Sequence, residues 1–134
     1  MTVVTARKEI VVPVGEYGLE VVGVEEVQGN FGPQFKWVFQ ISAPKQYSEK
    51  SILAWTSTSN SLKGNFMKWV AAIYNRAVVD GEKIDTKNLS SRKVIGIIIT
   101  EEKDDGTYNK ITGLKPYKKQ SPMPLDGEGT EEEF

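Results

Sequence analysis

The chain has 134 residues, 39% hydrophobic and 26% charged, with a formal net charge of −1 and neither cysteine nor histidine. That length suffices for one hydrophobic core of ordinary domain size. The two missing residue types exclude disulfides, thiolate or imidazole metal sites, and Ser-His or Cys-His nucleophiles.

Met1 to Ile10 carries no apolar run of signal-peptide length, and no stretch approaches the roughly 20 apolar residues of a membrane span. The expectation is a cytoplasmic protein that needs no cofactor and no metal. The net charge conceals a division. Residues 1–125 hold all 17 basic residues and 13 of the 18 acidic ones, a net +4, while residues 126–134 hold the other five carboxylates and no base. An acidic end of that kind can compete with any polyanion that the body attracts.

Gly15 to Val27 reads as a first strand, with Leu19, Val21, Val22 and Val24 as its apolar positions. The adjacent Val21-Val22 pair beside Gly23 predicts a bend or bulge. Gln28-Gly-Asn-Phe-Gly-Pro33 is turn chemistry. A second strand, Gln34 to Ser42, alternates: Phe35, Trp37, Phe39 and Ile41 on one face, Lys36, Val38 and Gln40 on the other. After a polar loop containing Tyr47, Ser51 to Ser57 forms a third strand.

The period then changes. Leu62, Phe66, Trp69, Val70, Ile73 and Ala77 recur at spacings of three and four, which predicts an amphipathic helix of about four turns. Ser59 or Asn60 is positioned to cap it. Arg92 to Glu102 is a fourth strand, whose run from Val94 to Ile99 suggests burial on both faces or barrel closure. Lys103-Asp-Asp-Gly106 is a hairpin turn leading to a fifth strand, Thr107 to Leu114. The predicted class is mainly β with one helix. The order β-β-β-α-β-β is that of an OB-fold, a small, partly open five-stranded Greek-key barrel. Beyond Tyr117, Pro122 and Pro124 predict a stiff linker that holds the acidic tip away from the body. The expected division is a binding domain over residues 1–117 and a flexible linker with acidic tail over 118–134.

Strands 2 and 3 and the loops joining strands 1–2 and 4–5 form the usual ligand face of such a barrel. Single strands bind there by stacking bases on aromatic rings while lysines track phosphates. Those elements supply Phe31, Trp37, Tyr47, Trp55 and Tyr108 beside Lys36, Lys45, Lys50 and Lys110. Phe35 and Phe39 read as core through their alternation, and Trp69 through its place on the helix stripe. Trp37 and Trp55 fit either stacking or packing. Lys115, Lys118 and Lys119 cluster around Tyr117 and can extend a phosphate path or dock an acidic segment. Asp104-Asp105-Gly106 reads as a turn rather than a cation site, and no catalytic constellation is present.

The strand-helix order over residues 15–117 and the ending Asp126 to Phe134 together resemble the single-stranded DNA-binding proteins of bacteriophages and bacteria. Members of that group end in an acidic segment closing on Phe, which recruits replication and repair enzymes. The matching residues are Asp126, Glu128, Glu131, Glu132, Glu133 and Phe134. Bacterial tails usually place Ile-Pro before the final Phe, where this chain has Glu132-Glu133, and their linkers are longer. Both departures fit a compact phage version.

The resemblance implies a non-enzymatic, sequence-independent single-stranded DNA-binding protein of DNA replication, recombination or repair. Its partners would be single-stranded DNA and, through the tail, other replication or recombination proteins, with no membrane. The sequence leaves open whether it is a monomer or a homo-oligomer. The alternative is an OB-fold adaptor that contacts only proteins.

Overall fold

The computed structural model describes residues 10–30 and 32–125. Along the chain, β1 (Gly15–Gly29), β2 (Gly32–Ala43) and β3 (Ser51–Ser57) precede the helix α1 (Asn65–Tyr74), and β4 (Lys93–Lys103) and β5 (Gly106–Pro116) follow it. Two 3-10 turns, Lys45–Tyr47 and Thr86–Leu89, are added to the expected elements. All strand pairs are antiparallel. Among the described residues no helix is long and apolar enough to cross a membrane.

The alternation in β2 works as read. Trp37, Phe39 and Ile41 face the interior, and the intervening Lys36, Val38 and Gln40 are only half-buried. In β3, Ile52, Ala54 and Thr56 point inward, leaving Leu53 and Trp55 on the outer face. The predicted irregularity in β1 is a register shift between Val21 and Gly23: Val21 is fully buried and Val22 exposed.

The helix is shorter than its apolar spacing suggests, and neither Ser59 nor Asn60 caps it. The hydroxyls of Ser57, Ser59 and Ser61 each accept a bond from the amide two residues onward. Such local bonds compete with helical ones, so the serine-rich stretch stays outside the helix. Gly64 takes the N-cap position without a side-chain bond. At the other end, Asn75 adopts the left-handed conformation, with φ 58°, a role that asparagine tolerates better than most residues. Phe66, Val70 and Ile73 then bury one stripe of α1 against the sheet. Trp69 meets Trp37 edge-on at 5.3 Å, and Phe66 stacks on Phe35 at 4.5 Å.

The lateral strand order is β3-β2-β1-β4-β5. The sheet is therefore open between β3 and β5, and the expected five-stranded Greek-key barrel is not closed there. β3 has seven residues against eleven in β5, and Asn65 and Trp69 of α1 line the gap between them. The two edges converge without joining as hydrogen-bonded neighbours. On β5, Asn109 instead spends its side-chain amide on the main chain of Val12, accepting from its N–H at 2.8 Å and donating to its carbonyl at 2.9 Å. Val94, Gly96 and Ile98 of β4 are buried while Ile95, Ile97 and Ile99 are half-buried, so the apolar run is wetter on one side than expected.

Residues 117–125 differ most from expectation. Where the two prolines suggested a stiff, extended linker, these residues form a strap bonded along the C-terminal end of α1. Asn75 donates to the Gln120 carbonyl at 2.7 Å, and the Gln120 side chain bonds both main-chain groups of Lys93. Arg92 donates to the Ser121 carbonyl, and the Met123 amide donates to the Tyr74 carbonyl at 2.8 Å. Met123 also packs against the core.

Candidate nucleic-acid interface

The gap between β3 and β5 is a groove of about 780 Å³. One wall is β3 from Ser51 to Thr56, the other is β5 from Tyr108 to Thr112 with Glu101 and Lys103 of β4. Both walls acquire their chemistry from the period of two, which sends alternate side chains out of each strand.

On the β3 wall, Trp55 is 51% exposed. Its register partner on β2 is Lys36, and the partner of Lys36 on β1 is Glu25. Residues directly opposite on antiparallel strands share a face, so the side chains of Trp55 and Lys36 leave the sheet on the same side. Leu53, opposite Val38, extends this outer face as an apolar neighbour.

On the other wall, Tyr108 lies opposite Glu101. The Lys103 ammonium sits 5.7 Å from the centre of the Tyr108 ring, a cation–π arrangement. Glu101 lies between two lysines, 3.8 Å from Lys103 Nζ and 3.9 Å from Lys110 Nζ. Lys50, only 8% exposed, lines the same groove. The groove thus presents three aromatic residues, Trp55, Trp69 and Tyr108, and three lysines against one carboxylate. That is the composition required to stack bases and neutralise phosphates.

The structure brings Trp55, Tyr108, Lys110 and Lys50 together and sets Lys36 beside Trp55. It removes Trp37 from the candidate set. That ring is fully buried, stacks parallel to Phe39 at 5.7 Å, and donates its Nε1–H to Thr56 Oγ1 at 3.0 Å. Tyr47 is also not an open loop ring: it packs on the core and meets Tyr17 edge-on at 5.9 Å. Burial, then the neighbouring Tyr47, holds the Tyr17 hydroxyl above the usual tyrosine range, and that hydroxyl donates to the Pro13 carbonyl. Lys45 is exposed on its 3-10 turn and is not part of the groove lining. Lys115 pairs with Glu16 at 2.5 Å, and half-buried Tyr117 begins the strap. Phe31, Asp126, Glu128, Glu131, Glu132, Glu133 and Phe134 lie outside the described residues.

Sequence reasoning missed Lys103, Glu101 and Asn65 as groove residues. Lys103 was legible only as the first residue of a turn. The missing step was register: a turn on Asp104-Asp105 pairs Lys103 with Gly106 and Glu101 with Tyr108, which places Lys103, Glu101, Tyr108 and Lys110 on one face. Asp104 and Asp105 themselves are exposed at the hairpin tip. Among the described residues, no three metal-ligating side chains converge.

No protein-family model matches this chain, and no curated protein is significantly similar to it.

Proposed function

We propose that the protein binds single-stranded DNA without regard to sequence, in replication or recombination, and that its acidic C-terminal segment recruits partner proteins. The fold reading beneath this is an OB-type barrel parted between β3 and β5, supported by the approach of those two edges across the groove. One observation carries the proposal. Trp55 holds a half-exposed indole on the outer face of β3, where the fold leaves it uncovered, in the same groove as Tyr108, Lys103 and Lys110. A half-exposed indole offers a flat aromatic surface on which a base can stack. The resemblance of the terminal segment to phage and bacterial tails supports the recruiting role.

Titration with oligo-dT at low salt tests this directly. Binding quenches tryptophan fluorescence and weakens steadily as salt is added, because condensed counterions are released. Absence of both quenching and a mobility shift at low salt defeats the proposal. The exposed apolar pair Val22 and Leu53 on the outer sheet face favours a second reading, an adaptor that meets only protein there. Deleting residues 126–134 separates the two: a DNA-binding protein keeps or gains DNA affinity, whereas an adaptor has none to keep.

A further inference from the structure

We propose that Glu101 is a built-in competitor for phosphate: its carboxylate stands between Lys103 and Lys110, where a strand phosphate would dock, and so sets how tightly the groove holds DNA. This rests on reading the groove as a single-strand site.

The geometry is that of a shared anion. One carboxylate oxygen lies 3.8 Å from Lys103 Nζ and the other 3.9 Å from Lys110 Nζ. A phosphate offers the same feature, two anionic oxygens reachable from two sides. Strand pairing enforces the placement. Glu101 is opposite Tyr108, Lys110 is two residues further along β5, and Lys103 closes the hairpin end of β4. All four residues line the groove.

The arrangement is also easy to exchange. The side chains of Glu101, Lys103 and Lys110 are 41%, 59% and 57% exposed. Ion pairs this wet are weak, and lysine stems are flexible enough to swing onto an incoming phosphate. Glu101 cannot leave with them, since its backbone is paired with Tyr108 of β5. A docked phosphate therefore still faces a neighbouring carboxylate, and the groove counts as one effective cation here where its two lysines would otherwise count as two. The result is moderated affinity, suited to a protein that must yield its strand to other machinery.

Glu101→Gln keeps the shape and removes the charge. Titrating oligo-dT against wild type, E101Q and the charge-matched control Glu26→Gln, over a range of salt, reads the effect. Glu26 is exposed on β1 and does not line the groove. The expected result is about fivefold tighter binding by E101Q at low salt, and a salt slope steeper by about 0.7. Glu26→Gln should produce neither change. Adding Lys110→Gln to E101Q should return the slope to the wild-type value. Equal gains in E101Q and E26Q overturn the inference, because the effect is then net charge alone. Unchanged affinity and slope in E101Q, with wild type binding normally, overturn it while sparing the groove. If neither wild type nor E101Q binds DNA at low salt, the single-strand reading falls and the inference with it.

Discussion

Arg76 and Glu82 form a two-pronged ion pair, Nη1 to Oε1 at 2.9 Å and Nη2 to Oε2 at 2.6 Å, and the same guanidinium donates to the carbonyls of Met123 and Pro124. Glu82, whose side chain is 3% exposed, is thereby the support that aims Arg76 at the strap. Its second prop is the Val79 amide, which donates to Oε1. The last described residues of the chain are therefore fastened to Arg76, just beyond α1, and Glu82 holds that guanidinium in place.

Replacing Glu82 with Gln should lower stability by about 2 kcal/mol, since it leaves a largely buried guanidinium without its counter-charge. Urea unfolding measures the loss. Hydrogen exchange at the Met123 amide, bonded to the Tyr74 carbonyl, should accelerate more than exchange in the strands. The Arg76 hydrogen bond holds the Glu82 carboxyl below its ordinary value, with burial opposing and the Val79 amide and Arg76 charge assisting. A depressed folded value means that this stability is present above the unfolded pKa and is lost as pH falls through the folded one. The difference between wild type and E82Q should accordingly shrink below roughly pH 4. A difference that stays constant to pH 2 would contradict the assignment.

Trp55 and Trp37 should separate function from stability. Trp55→Ala removes an outward, half-exposed ring that is not part of the core cluster, so stability should move by less than about 0.5 kcal/mol. Affinity for oligo-dT should weaken by about 1–3 kcal/mol, the worth of one stacked base. Trp37→Ala should cost about 3–5 kcal/mol of stability through the cavity left beside Phe39, Phe66 and Trp69. Paired denaturation and fluorescence titrations decide between them. The converse pattern would place the stacking ring in the interior.

Gly96 allows β4 to lie against Leu19. A Cβ built there falls 2.4 Å from Leu19 Cδ1, and Leu19 is fully buried in the core. Gly96→Ala should cost about 1–3 kcal/mol by overpacking. Combining it with Leu19→Val removes the offending methyl, so the double variant should be less destabilised than the sum of the singles. Strict additivity in a denaturation cycle would show that the clash is relieved elsewhere.

The strands and the helix were legible because their periods are local. Phe35, Trp37, Phe39 and Ile41 share a parity, and shared parity means a shared face. That parity pointed Trp37 inward, although its polar neighbours had kept it among the binding candidates. The helix ends were harder, since the apolar spacing from Leu62 to Ala77 runs past both of them. Serine hydroxyls claimed the amides before Gly64, and Asn75 turned left-handed after Tyr74. The groove itself is half legible in the sequence: residue type and strand position point to Trp55, Tyr108, Lys50 and Lys110, whereas Glu101 and Lys103 depend on strand pairing.

By itself, then, the sequence determined the alternation of faces, the amphipathic stripe, the turn at Asp104-Asp105 and the division between a basic body and an acidic end, because each depends only on neighbours along the chain. The tertiary structure alone decided which face was covered. It left Trp55 bare and sealed Trp37, opened the sheet between β3 and β5, and drew the expected linker down as a strap through Asn75, Arg76 and Arg92. Those outcomes depend on segments tens of residues apart meeting in space, and no local period encodes such a meeting.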